Sequence, residues 1–198
     1  MGLPKAQHLN AVTEALESEL AALIAGVQRR DRKAIGHLFD RFEGEVNRIV
    51  WALLGADPEH DDVVHHAFAE MIENIGQVTR PIALRGWVRA IAVNQVRKTI
   101  RGRRWRRLFG SAEEGLERFD ALAPDEARLE TIRRVYRVLD TLSPELRTAL
   151  VLRHLEGYEL SELAEALSCS LATAKRWLAR AEDLFSKRHG PWPKGSTT

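Results

Sequence analysis

The sequence ELSELAEALSCSLATAKRWLARAEDLFS occupies residues 159–186 and has the pattern of two short helices joined by a tight turn. Apolar positions recur at intervals of three and four in each half, as one buried helix face requires. Ser-Cys-Ser at 168–170 separates the halves, and Ser170 is well placed to cap the second helix. Ala164 is small where the two helices should cross closely. In the second helix we expect these side chains to point inward: Leu171, Ala174, Leu178, Ala181 and Phe185.

The outward face of the second helix carries small and basic side chains near its start. Such a helix fits the major groove of DNA, where arginine reads base edges while lysine and threonine contact phosphate. A helical hairpin of purely structural use has the same pattern and is the alternative interpretation. Trp177 is next to the inward Leu178, and we expect it at the edge of the core because large aromatic side chains usually pack.

A run of positive charge occupies residues 74–112, which contain ten basic side chains and no acidic one. The asymmetry is local, because the whole chain has a net charge of only +2. Such a run attracts a polyanion, above all nucleic acid. Trp87 and Trp105 lie inside it, and aromatic rings among arginines suit stacking on unpaired bases. The alternative is a solvated helix face with tryptophans that belong to the core.

The other segments also have helical periodicity, and no alternating strand pattern is convincing. We therefore predict an all-α fold of two small helical domains joined by a flexible acidic linker, with the helix-turn-helix in the C-terminal domain. Besides the two helices of 159–186, the predicted helices cover 31–54, about 58–75, the segment from Pro81 into the basic run, the segment around 131–139, and 143–156.

The domain boundaries follow from changes in composition. Residues 113–130 hold seven acidic and two basic side chains, with Gly115 and Pro124 among them, which indicates a tether. The predicted organisation is an N-terminal extension, a first domain, the acidic linker, a second domain and a disordered tail rich in Pro, Gly, Ser and Thr. Their bounds are 1–19, 20–112, 113–130, 131–189 and 190–198.

The composition excludes several classes of protein. A hydrophobic content of 44% over 198 residues excludes wholesale disorder. No apolar run reaches membrane-spanning length, and the first ten residues lack a signal-peptide pattern. The single cysteine, Cys169, excludes an internal disulfide and fits a reducing compartment. We expect a cytoplasmic protein without membrane insertion.

The chain has no pattern typical of an enzyme. It contains no Gly-rich phosphate loop and no spaced set of serine, histidine and aspartate that would suggest a nucleophile. His60, Asp61, Asp62, His65 and His66 are the candidates for a metal site, but their spacing is not that of HExxH or another zinc motif. We predict a protein that is not an enzyme and that needs no cofactor and no metal.

Several short motifs, taken in order, resemble the extracytoplasmic function (ECF) group of sigma-70 family factors. The similarity covers roughly residues 20–108 and 131–186. In the N-terminal part it rests on DDVV (61–64), Phe68 and RGWVRAIAVN (85–94). In the C-terminal part it rests on LSPE (142–145), LVLR (150–153), EGY (156–158), ELA (162–164), TAK (173–175) and ARA (179–181).

The resemblance implies three interfaces and a role for each. The helix that begins near Asp61 would dock on the clamp coiled coil of core RNA polymerase through Asp61, Asp62, His65, His66 and Phe68. The −10 element would be captured and melted by Gln77, Thr79, Arg80, Asn94, Arg97, Lys98, Arg101, Arg104 and Trp105. The −35 element would be contacted by Arg153, Ser170, Thr173, Lys175, Arg176 and Arg180. The implied partners are core polymerase (clamp and flap), promoter DNA and an anti-sigma protein.

The chain departs from the family pattern at two places that bear on function. His65-His66 stand where the family usually has Gln-Glu, and Ser168 replaces the usual glycine of the turn. Two other functions stay open as alternatives: a DNA-binding regulator, and a sigma mimic that titrates an anti-sigma protein. The basic segment 97–107 favours an initiation factor, because a mimic needs no melting surface. RNA binding through the arginine run is a third possibility.

Overall fold

The computed structural model of the chain describes residues 4–108, 126–190 and 192, with side chains placed for residues 11–105, 130–190 and 192. The regular structure in these residues is helical and contains no strand, which confirms the all-α prediction. In this part of the chain eight α-helices follow one another: α1 Pro4–Gln28, α2 Arg32–Leu54, α3 His60–Asn74, α4 Leu84–Leu108, α5 Glu126–Leu139, α6 Pro144–His154, α7 Leu160–Ala166 and α8 Leu171–His189. Two short 3-10 turns, Ile75–Gln77 and Pro81–Ala83, lie between α3 and α4.

Helices α1–α4 form the N-terminal half. The second helix begins after Asp31, whose Oδ1 accepts a hydrogen bond from the backbone N–H of Lys33 at 2.8 Å. It ends at Gly55, which has a φ of 75°, in the left-handed region that glycine adopts without steric cost. The inner face of α4 packs against α2 and α3 through fully buried side chains: Leu84, Val88, Ala92 and Val96.

The helix α1 crosses the boundary predicted between residues 19 and 20. Leu20, Ile24 and Val27 are buried, and they contribute to the core that α2 and α4 complete. The described side chains before Leu20 are exposed except for the half-buried Leu16. The predicted extension and the first predicted domain therefore share one continuous helix, whose apolar anchor begins at Leu16 and Leu20.

Helices α5–α8 form the C-terminal half, and their ends have the caps that the sequence predicts. The Oγ of Ser143 accepts a hydrogen bond from the backbone N–H of Leu146 at 3.4 Å, and Pro144 occupies the first position of α6. At the start of α7, Glu159 and Glu162 form a reciprocal capping box. These local bonds satisfy backbone groups that a helix end leaves unpaired.

Two predicted segments lie largely outside the described residues. Of the predicted linker, residues 113–125 lie outside the described residues, while 126–130 form the first residues of α5. Of the predicted tail, Gly190 and Trp192 are described. The Trp192 ring packs on Phe185 at 4.8 Å and on His154 at 5.3 Å between centroids, so Trp192 is part of the fold. Aromatic burial outweighs the tail-like composition there.

The two halves meet where the C-terminal half caps the end of α2. Arg147 is 3% exposed, and its Nε and Nη2 donate to the carbonyl oxygen of Leu53 at 2.9 and 2.6 Å. Its Nη1 donates to Asp140. The Tyr136 hydroxyl donates to the carbonyl oxygen of Ala52 at 3.0 Å, and burial raises the pKa of Tyr136 to about 12, so the hydroxyl remains a donor at neutral pH. One continuous apolar cluster joins the halves around these bonds.

We expect Arg147→Met to lower the free energy of unfolding by about 2–4 kcal/mol, because a buried carbonyl and a carboxylate would lose their donor. The matched control is Arg137→Met, which removes an arginine that pairs with Glu130 at the surface. This control should change stability by about 0.5 kcal/mol or less. Urea unfolding followed by circular dichroism measures both. Equal losses in the two variants would mean that the junction bonds of Arg147 add nothing to stability.

Candidate nucleic-acid interface

The helix-turn-helix predicted from the sequence is formed by α7 and α8. Ser170 caps α8, with its Oγ 3.2 Å from the backbone nitrogen of Thr173. The turn closes α7 with two bonds typical of a Schellman motif: Ser168 N–H donates to the Glu165 carbonyl and Cys169 N–H to the Ala164 carbonyl, each at 2.9 Å. This motif needs a left-handed residue, and Ser168 occupies that position with a φ of 51°.

The basic residues predicted to contact DNA lie on the solvent side of α8. Lys175, Arg176 and Arg180 are exposed and Thr173 is half-buried, so all four are clear of the core face. The Arg176 Nη2 donates to the Thr173 Oγ1 at 3.2 Å, which joins two of the predicted contact residues one turn apart. With Ser170 at the N-terminus, these side chains form one accessible surface at the start of α8.

The core face of α8 agrees with the prediction except at its first residue. Ala174, Leu178, Ala181 and Phe185 are buried. Leu171 is 46% exposed, so the prediction that it points inward is wrong. Its place as the first residue of α8 leaves it outside the packed part of the helix, which periodicity alone does not reveal. Trp177 is half-buried and packs against the core, which confirms its position at the core edge.

Arg153 has a structural partner that the sequence did not predict. Its Nη1 donates to the carbonyl oxygen of Tyr158 at 2.7 Å and lies 3.4 Å from a carboxylate oxygen of Glu159. The side chain is 35% exposed. It therefore holds the loop between α6 and α7, and a contact with DNA would have to use the exposed part of the same guanidinium group.

The long helix α4 presents the basic surface predicted for the −10 region. Five of its polar and basic residues follow one side of the helix, because each lies three or four positions from the next along that side: Asn94, Arg97, Lys98, Arg101 and Arg104. The Asn94 Oδ1 accepts a weak hydrogen bond from Arg97 at 3.4 Å. Trp105 is 65% exposed near the end of this side, whereas Trp87 is half-buried and packs against the core.

Several cations of α4 pair with carboxylates that the sequence analysis did not assign to the site. Arg97 Nη2 and Arg101 Nη2 lie 3.1 and 3.3 Å from the same oxygen of Glu145, and Lys98 Nζ lies 3.1 Å from Glu70. Burial disfavours the ionised form of Glu145, but hydrogen bonds from its own backbone N–H and from Arg97 outweigh this, so the pKa of its carboxyl is lowered. Glu145 is therefore an anion at neutral pH.

The segment between the two 3-10 turns is accessible. Gln77, Thr79 and Arg80 are exposed there, and the Gln77 amide donates to the Asn74 Oδ1 at 3.2 Å. Ile82, which follows in the second turn, is 41% exposed. The sequence analysis did not include Ile82, although an apolar residue directly after a proline in a polar loop is a usable signal. The structure thus places an apolar side chain beside the three predicted polar ones.

Four of the five residues predicted for polymerase docking are exposed on α3: Asp61, Asp62, His65 and His66. They occupy two i, i+4 pairs on one side of the helix. Phe68 is only 5% exposed and its ring packs on Phe39 at 4.6 Å between centroids, so the structure places Phe68 in the core instead. Phe39 of α2, on which this ring packs, is 36% exposed.

The structure gives no feature typical of other site types. Within the described side chains, no three His, Cys, Asp or Glu residues come together as a metal site needs. None of the described helices combines the length and apolar character required to cross a membrane. Cys169 is half-buried, and burial raises the pKa of its thiol, which keeps the sulfur protonated and poorly nucleophilic.

Comparison with protein families identifies both halves. The family described as sigma-70 region 2 matches residues 38–106, and sigma-70 region 4 matches residues 132–183, the part that holds the helix-turn-helix. The chain belongs to the sigma-70 family. The relatives place this sigma factor in the ECF group: it is 28% identical to the ECF RNA polymerase sigma-E factor of Haemophilus influenzae over 86% of the chain and 95% of that protein. It is 29% identical to the sigma-E factor of Escherichia coli K12 over 85% of the chain and 93% of that protein.

Two solved structures have a similar fold. One is CnrH in complex with the cytosolic domain of CnrY, with a TM-score of 0.56 and 22% identity, covering 84% of this chain and 94% of that chain. Another is the sigma factor RpoE of Bartonella quintana in complex with the anti-sigma factor NepR, with a TM-score of 0.58 and 18% identity, covering 78% and 96%. At these identities the likeness concerns the fold.

We expect Ser168→Gly to raise the free energy of unfolding of this sigma factor by about 0.5–1 kcal/mol, because glycine avoids the steric cost of the left-handed turn. The control is Ser186→Gly, at an exposed position inside α8, which should lower stability by about the same amount. Thermal unfolding of the purified variants measures both. A stability change of the same sign in both variants would contradict the assignment of turn strain to Ser168.

Proposed function

We propose that this sigma factor binds core RNA polymerase, recognises −35 and −10 promoter elements and promotes DNA melting at the start of transcription, in the cytoplasm. The observation that carries the proposal is that one chain combines two basic surfaces of different kinds. The face of α8 suits the groove of duplex DNA, and α4 with Trp105 suits an unpaired strand. A regulator that only binds duplex DNA needs the first surface alone.

The −35 element is assigned to the start of α8. Arg176 and Arg180 are exposed and can reach base edges in the major groove, where arginine pairs with guanine in bidentate fashion. Lys175, Thr173 and Ser170 contact phosphate and fix the register of the helix. Arg153 contributes from the loop that it holds, at the rim of the same domain.

The −10 element is assigned to the exposed loop and to α4. Gln77, Thr79 and Arg80 form the capture site for an extruded base, and the neighbouring Ile82 supplies apolar contact. The polar and basic residues along α4 then hold the unpaired strand, with the Trp105 ring available for stacking: Asn94, Arg97, Lys98, Arg101 and Arg104. Extruding a base costs roughly a few kcal/mol, which phosphate and stacking contacts together can offset.

The protein partners are assigned to the remaining surfaces. Asp61, Asp62, His65 and His66 dock on the clamp coiled coil of core polymerase, with Phe39 as the apolar neighbour. The C-terminal half contacts the polymerase flap. An anti-sigma protein is a further expected partner, and the similar sigma factor RpoE of Bartonella quintana is bound to the anti-sigma factor NepR in its solved structure.

The proposal is tested by run-off transcription with purified bacterial core RNA polymerase on a pool of promoter fragments, with and without this protein. We expect specific transcripts only in its presence, and their start sites then identify the −35 and −10 sequences. If a folded protein binds duplex DNA but yields no transcript, the chain is a DNA-binding regulator or a sigma mimic instead. Preferential binding to folded RNA would favour an RNA-binding function.

On a promoter found in this way, Arg176→Ala should reduce transcription roughly tenfold, because one arginine–base contact is lost. The control is Arg188→Ala in the last turn of the same helix, where the arginine donates to Thr141 within its own half. The control has the same change in charge and should keep most of the activity. Run-off transcript yield at matched protein concentration measures the difference, and equal losses would remove Arg176 from the −35 contact.

A further inference from the structure

The turn between α1 and α2 concentrates positive charge at the surface. Four exposed cationic side chains lie there, and we refer to them as the basic turn: Arg29, Arg30, Arg32 and Lys33. Within the described side chains, none of the four pairs with a carboxylate. The one acid among them, Asp31, accepts a hydrogen bond from the backbone N–H of Lys33. The basic turn therefore presents four cations to solvent against a single carboxylate.

Local stability does not account for the arginine at the centre of the basic turn. Arg30 has a left-handed backbone, with a φ of 60°. Its N–H donates to the Val27 carbonyl at 2.9 Å, and the Asp31 N–H donates to the Gly26 carbonyl at 3.1 Å, which are the two bonds of a Schellman motif at the end of α1. Glycine is the usual residue in this position, because a side chain there has a steric cost. The chain thus has an arginine where local stability favours glycine.

The next two cations also oppose local stability. Arg32 and Lys33 occupy the first turn of α2, and no acid lies in that turn. The N-terminal end of a helix carries partial positive charge, so it favours acidic side chains and disfavours basic ones. Residues that break local rules without a structural gain are expected at functional sites. Binding of an anion by the basic turn accounts for these cations and for Arg30 together.

The basic turn lies beside the loop assigned to base capture. A Cβ added at Gly76 would lie 3.4 Å from the Nε2 of Gln28, so the end of α1 contacts the first 3-10 turn. Arg29 directly follows Gln28, and Gln77 of the capture site directly follows Gly76, and neighbouring Cα atoms are about 3.8 Å apart. The helix α1 also packs against the second 3-10 turn. A base held by the loop therefore leaves its neighbouring phosphates close to the basic turn.

We propose that the basic turn is a second binding site for the unpaired promoter strand, in which its cations hold the backbone phosphates next to the captured base. The inference rests on the proposed function, because capture of a −10 base by the neighbouring loop brings the ligand. The ligand is phosphate rather than a base, since residues 29–33 supply charge and hydrogen-bond donors but no aromatic ring for stacking. Arg97 and Lys98 of α4 pair with carboxylates, whereas the basic turn binds phosphate without an exchange of partner.

The test uses holoenzyme assembled from the full chain and an excess of purified bacterial core polymerase. The probe is a fluorescein-labelled single strand of about 12 nucleotides that carries the −10 sequence mapped by run-off transcription. Fluorescence anisotropy at several salt concentrations gives its dissociation constant. One phosphate contact contributes about 0.7 to the slope of log affinity against log salt, which is about fivefold in affinity at about 0.1 M salt. Arg30→Gly and Arg32→Gln should each weaken binding by about that factor and lower the slope by about 0.7.

Two controls separate phosphate binding from folding and from net charge. Arg30→Gly removes the steric cost of the left-handed position, so it should unfold at the same or a higher temperature although it binds the probe more weakly. Arg41→Gln makes the same change in charge as Arg32→Gln further along α2, where Arg41 already pairs with Glu19 at 2.6 Å. It should bind the probe like the wild type. Weaker binding by the two test variants, with thermal stability retained, supports the proposal.

The remaining outcomes distinguish the proposal from the proposed function and from another partner. Wild-type affinity and salt slope in Arg30→Gly and Arg32→Gln would overturn the proposal alone, provided that wild-type holoenzyme binds the probe more tightly than core polymerase does. If it does not, the proposed function fails, and the basic turn loses its ligand with it. If the variants compete poorly with the wild-type chain for core polymerase, but saturated holoenzyme binds the probe normally, the basic turn docks on an acidic protein surface, which also overturns the phosphate site.

Discussion

The last carbonyl groups of α2 cannot be satisfied within their own helix, and the arrangement of the two halves depends on how they are capped. The donors come from residues more than eighty positions later, Tyr136 and Arg147. Because a buried carbonyl without a donor is costly, these bonds restrict where α5 and α6 can lie relative to α2. The position of α6 then brings Glu145 to α4, and α7 follows with Glu162. The junction therefore sets the electrostatic environment of the basic helix α4 as well as the packing.

The basic helix α4 contains no acid of its own, so its charge is balanced from other elements. Within the N-terminal half, Glu45 pairs with Arg85 and Arg89, and Glu70 pairs with Lys98. The C-terminal half supplies Glu145, which pairs with Arg97 and Arg101, and Glu162, which pairs with Arg89. The charge of α4 is therefore balanced by carboxylates of both halves.

Much of the fold and part of the candidate site could be predicted from the sequence. The helices after residue 30, the caps at Ser143 and Ser170 and the exposed basic face of α8 all follow from short-range rules that agree with one another. The first helix, α1, was not among the predicted helices. The errors have different causes. Leu171 was assigned to the core because periodicity defines a helix face but not where the packed region ends. Phe68 was assigned to the docking face on the family resemblance alone, which does not record that its ring packs on Phe39. Trp192 was assigned to a disordered tail because composition does not record that its ring meets Phe185 and His154.

By itself, the sequence determined the helices that follow residue 30, to within a few residues at their ends, and which faces are apolar, where positive charge accumulates and which family motifs occur. These properties depend on neighbours within a few residues, through hydrogen bonds to caps and through the 3.6-residue period. Only the tertiary structure decided that Arg147 caps α2, that Glu145 pairs with Arg97 and Arg101, and that Arg153 holds a loop. The two junction contacts join residues about fifty to ninety positions apart. Their formation depends on how whole helices pack, and neither local periodicity nor local charge determines that packing.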